Sequence, residues 1–234
     1  MSKATFDDYS SSYEQALNRG IAVSGENSTF FAQGRLKWLA RLAAHRRLPT
    51  TAVLDFGCGI GNSLPLLREH LAAQHVAGID VSSESIAIAR QRFPQAGFEL
   101  ATCDELPATA KFDLAFCNGV FHHIPITERG LSAQLVWQHL QPGGHFAFFE
   151  NNPLNPGTRY VMSRIPFDRD AITLMPWTAR RLLSGAGFEI LLTHYLFFFP
   201  KPLAWLRMAE PALCHIPCGA QYLILARKPL SAAR

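Results

Sequence analysis

The run Val53-Leu-Asp55-Phe-Gly57-Cys-Gly59-Ile-Gly61 sets three glycines at alternate positions behind an acid. Glycines spaced this way permit a tight backbone turn and close approach by a ligand. A dinucleotide turn, G-x-G-x-x-G, would need its third glycine where Asn62 stands, counting from Gly57. Counting from Gly59, that slot falls on Leu64, so neither frame fits. Asp55 would repel a pyrophosphate and suits a cationic ligand instead. Asp80, in Gly78-Ile-Asp80-Val81, follows the turn by about 20 residues, where a carboxylate can accept from both hydroxyls of a ribose. His122 and His123 titrate in the range needed to take a proton from a hydroxyl. Neighbours in extended chain point to opposite sides, so one of the two is expected to face the cavity, His123 before His122. Glu150 is an alternative base. Asn151 and Asn152 suit a polyol, and Arg159 suits a carboxylate or phosphate.

The elements that hold these residues alternate along the chain. Strands are expected at 51–55, 75–80, 98–101, 112–117, 145–150, 188–198 and 221–226. Helices are expected at 34–47, 62–73, from a Ser82 or Ser83 cap to Arg92, at 127–140 and at 178–186. Gln141-Pro-Gly-Gly144 reads as a helix-stop turn. Strands alternating with helices imply an α/β fold: a Rossmann-like, doubly wound, seven-stranded sheet, mostly parallel, with an antiparallel last strand. One domain is expected over 1–234. In it, 1–48 form a helical cover, 50–150 a cofactor-binding core, and 151–177 and 199–219 substrate-side or lid segments. The stretch Tyr195-Leu-Phe-Phe-Phe-Pro-Lys-Pro-Leu-Ala-Trp-Leu-Arg207 carries three consecutive phenylalanines, more than one strand face can bury.

The glycine run resembles the first motif of the class I S-adenosylmethionine-dependent methyltransferases. The resemblance implies that Asp55, Gly57, Gly59 and Gly61 lie against the methionine part of that cofactor. Asp80 and Val81 then fall at the ribose, and Asp104, in Cys103-Asp104-Glu-Leu-Pro107, at the adenine amino group. Phe112-Asp-Leu-Ala-Phe-Cys-Asn118-Gly-Val-Phe-His122-His123 resembles the fourth-strand motif that passes the transferable methyl, which makes Asn118 a cofactor contact. Phe6 to Glu14 resembles a cofactor cover, and Arg35 stands where it could reach the cofactor carboxylate. The implied activity is methyl transfer to a small-molecule acceptor, at a hydroxyl oxygen. Two alternatives stand beside it: a catalytically silent S-adenosylmethionine-binding partner module, and a nicotinamide-dependent oxidoreductase.

Composition narrows the partners. The net charge of +4 divides into +6 over residues 151–234 and −2 over 1–150, with the basic residues scattered. A scattered basic face is not a nucleic-acid stripe. No apolar run reaches the roughly 18 residues of a membrane span, and the N-terminus lacks a signal-peptide core, so a cytoplasmic protein is expected. The aromatic segment leaves contact with a membrane surface or a lipid-linked substrate open. Five dispersed cysteines read as free thiols, and Cys214-His215 with Cys218 lacks a second ligand pair, so no metal is expected. Oligomeric state and acceptor identity are not written in the sequence.

Overall fold

The computed structural model describes residues 13–94, 97–168 and 171–230. The N-terminal cover expected from residue 6 therefore lies largely outside the described residues. Seven strands form one sheet in the order β3-β2-β1-β4-β5-β7-β6. They are β1 (Ala52–Phe56), β2 (His75–Asp80), β3 (Glu99–Thr102), β4 (Phe112–Asn118), β5 (Leu140–Asn151), β6 (Glu189–Leu196) and β7 (Gln221–Arg227). β1 to β5 pair in parallel. β7 runs antiparallel to both β5 and β6, so it is the reversed strand expected at the end of the chain.

The central strands β1, β4, β5 and β7 are buried on both faces, as a sheet covered by helices requires, while the edge strands β3 and β6 are half-exposed. Side chains alternate across it. Val53, Val76, Leu114, Phe116, Ala147 and Phe149 meet Leu36, Leu39, Leu64 and Leu67 from α2 (Ser28–Arg46) and α3 (Leu64–Leu71). On the other face Leu54, Ala77, Ala115, Phe146 and Phe148 meet Ala133, Val136, Ala179 and Leu183. Those four come from α5 (Arg129–His139) and α7 (Pro176–Gly185). The remaining longer helices are α1 (Tyr13–Ile21), α4 (Ser83–Arg92) and α6 (Pro156–Arg164), with a four-residue α8 (Glu210–Leu213). α4 begins as expected, with the Ser82 side chain accepting from the Ser85 N–H.

Most boundaries shift by one or two residues from the sequence reading, and two shift further. α2 starts at Ser28, six residues early, because Asn27 accepts from the Phe30 N–H and caps it. The 141–144 turn is absorbed into β5, with a register shift against β4, and Gly143 donates to the Lys228 carbonyl. Asp113 also has a structural task, accepting from the Ala52 N–H at 2.9 Å to pin β4 beside β1.

Gly219 lies where the chain before β7 crosses the end of β6. A Cβ there would come 2.5 Å from the Leu196 carbonyl oxygen and 2.6 Å from its nitrogen. Backbone cannot yield as a side-chain tip does, so Gly219→Ala is expected to destabilise by about 1–3 kcal/mol, read as a lower urea midpoint at unchanged slope.

Candidate active site

The strands deliver their ends to one side, where a cavity of about 1530 Å³ opens. Asp55, Gly57, Gly59, Asp80, Val81, Cys103, Asn118, His122 and His123 all line it. The glycine turn leaves β1 with positive φ at Gly57, Gly59 and Gly61. Gly57 must be glycine for a second reason: a Cβ would collide with Val120 of the loop after β4. The Gly57 and Cys58 N–H groups donate to the Ile79 carbonyl, which docks the turn on β2. Gly59 then donates to one Asp80 carboxylate oxygen and Ser82 to the other, each at 2.9 Å. The turn therefore aims Asp80 as well as shaping its own cradle.

Asp55 is 2% exposed. Burial, and then the negative charge of Asp80, push its carboxyl up to about 8, against the opposing charge of Arg35. Its Oδ2 and the Oδ1 of Asn118 are buried acceptors with no hydrogen-bond partner among the described residues. Two idle acceptors beside a glycine cradle fit a ligand that brings cationic and N–H donors. Arg35 is buried on the same cavity, its Nη1 donating to Gln221 Oε1 at 2.9 Å.

The other end is built around Glu150. Its Oε1 accepts from the Phe121 N–H at 2.8 Å and the His122 N–H at 3.3 Å. Its Oε2 takes the His122 Nδ1 at 2.6 Å. His122 Nε2 and His123 Nε2 lie 3.5 Å and 3.3 Å from Asp168 Oδ1. Burial would push His122 down, but Glu150 and Asp168 outweigh it and carry it up to about 10. His123 is lowered instead, by burial and by the charge on His122, although Asp168 opposes this. Burial works to raise Asp168, yet the two histidines hold it below its ordinary value. At neutral pH the cluster is a fixed imidazolium between two carboxylates, beside a neutral imidazole.

Several expectations change here. Both histidines face the cavity, because the chain turns at 120–124 rather than running extended: His123 donates to the Val120 carbonyl and Ile124 to that of Phe121. Asp104 is exposed outside the cavity, where Cys103 faces in. Arg159 is exposed and also outside it. Asn152 is fully buried and structural, its amide donating to the Pro217 and Gly219 carbonyls. Asn151 lines the cavity, while Glu150 is enclosed behind it. Asp168 was missed: it is 46 residues from His122, in a Pro-Phe-Asp turn with no spacing signal. His194 was missed beside Cys214 and His215, where ligand atoms come within 4.8 Å. Trp38 Nε1 donates to His194 Nδ1 at 3.2 Å, which leaves the proton on the nitrogen a metal would need.

A fold of this order with an acid-glycine turn and a second acid at the end of β2 defines a class I S-adenosylmethionine-dependent methyltransferase, and the chain belongs to that family. A methyltransferase domain model matches residues 53–144. Trans-aconitate 2-methyltransferase of Variovorax paradoxus (strain S110) is 37% identical over 206 residues, covering 79% of each chain. Its namesake in Azoarcus sp. (strain BH72) is 34% identical over 157 residues, 67% of this chain and 57% of that protein. The chain thus spans little more than half of some relatives it matches. In fold it resembles the crystal structure of an S-adenosylmethionine-dependent methyltransferase from Mesorhizobium loti. The TM-score is 0.56 at 24% identity, covering 80% of this chain and 96% of that one. These likenesses set the nicotinamide reading aside. Among the described residues no helix is long and apolar enough to cross a membrane.

The raised Asp55 carboxyl gives cofactor binding a pH signature. Its proton is held below about 8 in the free protein, and an ammonium-bearing ligand favours the ionised form. Titration with S-adenosylhomocysteine near pH 7 is therefore expected to release protons and to tighten as pH rises toward 8. Calorimetry in buffers of different ionisation enthalpy reads the release, which Asp55→Asn should abolish. Because the folded value is raised, this group's contribution to stability is complete below about 3.8 and lost as pH rises through about 8.

Proposed function

We propose that the protein transfers a methyl group from S-adenosylmethionine to a hydroxyl oxygen of a small molecule bound beside His123. The cofactor, when bound, supplies an electrophilic methyl on a sulfonium. The protein's residues hold and orient it: Asp55 faces its ammonium, Asp80 its ribose hydroxyls, and Asn118 a donor near the reacting end. Displacement at a sulfonium needs alignment above all, and the acceptor's proton must leave as its oxygen takes the methyl. Neutral His123 is the group that takes it, and Asp168 at 3.3 Å stabilises the imidazolium that results. His122 cannot serve, since it already holds its proton between Glu150 and Asp168. It is a positioning residue that keeps Asp168 in place. The observation that carries this reading is that one wall presents a neutral imidazole backed by a carboxylate, in the same cavity as the glycine turn.

The names of the curated relatives favour a second reading, a carboxylate acceptor. A carboxylate has no proton to lose, and a tricarboxylate needs cations to hold it. The arginines of this cavity donate to the protein itself. Arg35 binds Gln221, Arg92 binds the Ile60 carbonyl and Asn62, and Arg207 binds the Phe199 carbonyl and Glu26. Among the described residues that distribution leaves Arg207 Nη2 as a donor still open, one cation against three carboxylates, which supports the hydroxyl.

Turnover with a hydroxylated acceptor, at saturating S-adenosylmethionine, should fall by about 10²–10⁴ in His123→Ala, while S-adenosylhomocysteine affinity holds. Asp168→Asn should lower the rate by about tenfold or more. The wild-type rate should rise through a midpoint below 6.5, where His123 loses its proton. A pH-independent rate indifferent to His123→Ala would establish the carboxylate instead.

A further inference from the structure

The three consecutive phenylalanines find their place beyond the cofactor glycines. β6 ends at Leu196, so Phe197, Phe198 and Phe199 leave the strand, and all three line the cavity. Their backbone is fixed from outside. Glu210 Oε1 accepts from the Phe198 and Phe199 N–H groups at 3.1 and 3.0 Å, and Arg207 Nε donates to the Phe199 carbonyl at 3.0 Å. Arg207 also lies 4.4 Å over the Phe30 ring and binds Glu26 at 2.8 Å, closing the brace against the start of α2.

Phe197 holds φ at +62°, a conformation a bulky side chain rarely adopts. Such strain persists only where the surroundings over-determine it, and it gathers at ligand sites. Here the ring packs 5.0 Å from Phe31 and 6.0 Å from Phe30. It also lies directly over Gly34, where a Cβ would come 2.6 Å from Phe197 Cε1. Two polar side chains of this wall are engaged by the protein's own backbone. Asn155 binds the Thr158 N–H and the Cys218 carbonyl, and Thr158 Oγ1 donates to the Ala220 carbonyl. Beside them the cavity is lined by the apolar side chains of Leu17, Ile21, Phe31, Ile165 and Phe198.

The cavity of about 1530 Å³ spans both the cofactor glycines and this wall, so it has to hold cofactor and acceptor together. Apolar side chains continue past its rim: Val23 is 62% exposed, and Trp205 and Met208, in the turn after Phe199, are 72% and 90% exposed. Apolar side chains thus run from the cavity toward the surface, with Arg207, whose Nη2 makes no hydrogen bond among the described residues, as the cation beside them.

We propose that the acceptor is an amphiphile, with its hydroxyl at His123 and an alkyl chain laid along the Phe31–Phe198 wall toward Val23. This rests on the methyltransferase reading and names its substrate class.

The test uses the full chain saturated with S-adenosylhomocysteine and n-alkyl β-D-glucosides from methyl to octyl, each below its micelle concentration. Calorimetry should show one-site binding that tightens about two- to fourfold per methylene, so that octyl exceeds methyl by about a hundredfold or more. Phe31→Ser and Phe198→Ser should each remove much of that gain. Val23→Ser, at an exposed position that leaves the core untouched, should blunt it for the longest chains only. Octyl binding no tighter than methyl, or a gain that survives both wall substitutions, overturns the amphiphile. The initial titration with S-adenosylhomocysteine separates the two claims. Failure of that step overturns the methyltransferase reading itself, whereas cofactor-product binding without chain-length dependence overturns this inference only.

Discussion

A buried carboxylate, Glu150, is the constraint on which the acceptor end depends. At 1% exposure it cannot remain charged without donors, and it finds them in the turn after β4: the Phe121 N–H, the His122 N–H and the His122 ring. Satisfying Glu150 thus dictates the path of 120–124, and with it the direction of two consecutive histidines. It also makes His122 a cation, which draws in Asp168 from a distant turn. His123 is then left neutral against that second carboxylate. Breaking one such buried pair leaves its partner charged and alone, at a cost of about 3–5 kcal/mol.

The cofactor end uses the same currency with the opposite sign. Asp55 and Asp80 stand close enough that Asp80 helps to push the Asp55 carboxyl up, and backbone N–H groups of Gly59 and Ser82 steady Asp80. Two acids held together in a low-dielectric cleft are unfavourable until a cation arrives. A sulfonium ligand carrying an ammonium relieves that repulsion, so the site is electrostatically prepared before binding. One cavity therefore presents an anionic cradle and, a few residues beyond Asn118, a proton acceptor of controlled basicity.

Much of this was legible in the sequence because it is local. The glycine turn, Asp55, Asp80 and the His122-His123 pair each sit at a strand end that short-range pattern identifies. What was not legible arises from long-range contact. Asp168 has no meaning until the 166–168 turn meets His122, and Asn152 looks like a ligand group until its amide is seen binding the Pro217 and Gly219 carbonyls. Asp104 and Arg159 had suitable chemistry, but their neighbours Cys103 and Thr158 are the ones turned inward. The sheet's alternation marked Phe197–Phe199 as too apolar for one strand face, and left open where the rings would go. The positive φ at Phe197 settles it, and a residue pattern does not encode that departure.

The unequal charge of two adjacent histidines governs the acceptor end, and long-range ¹⁵N NMR of the imidazole rings measures it directly. His122 is expected to show two protonated nitrogens from pH 6 to 8 and to titrate near 10, and His123 to be a neutral tautomer at pH 7 that titrates below 6.5. A neutral His122 at pH 7, or two histidines titrating together near 6.5, would contradict it.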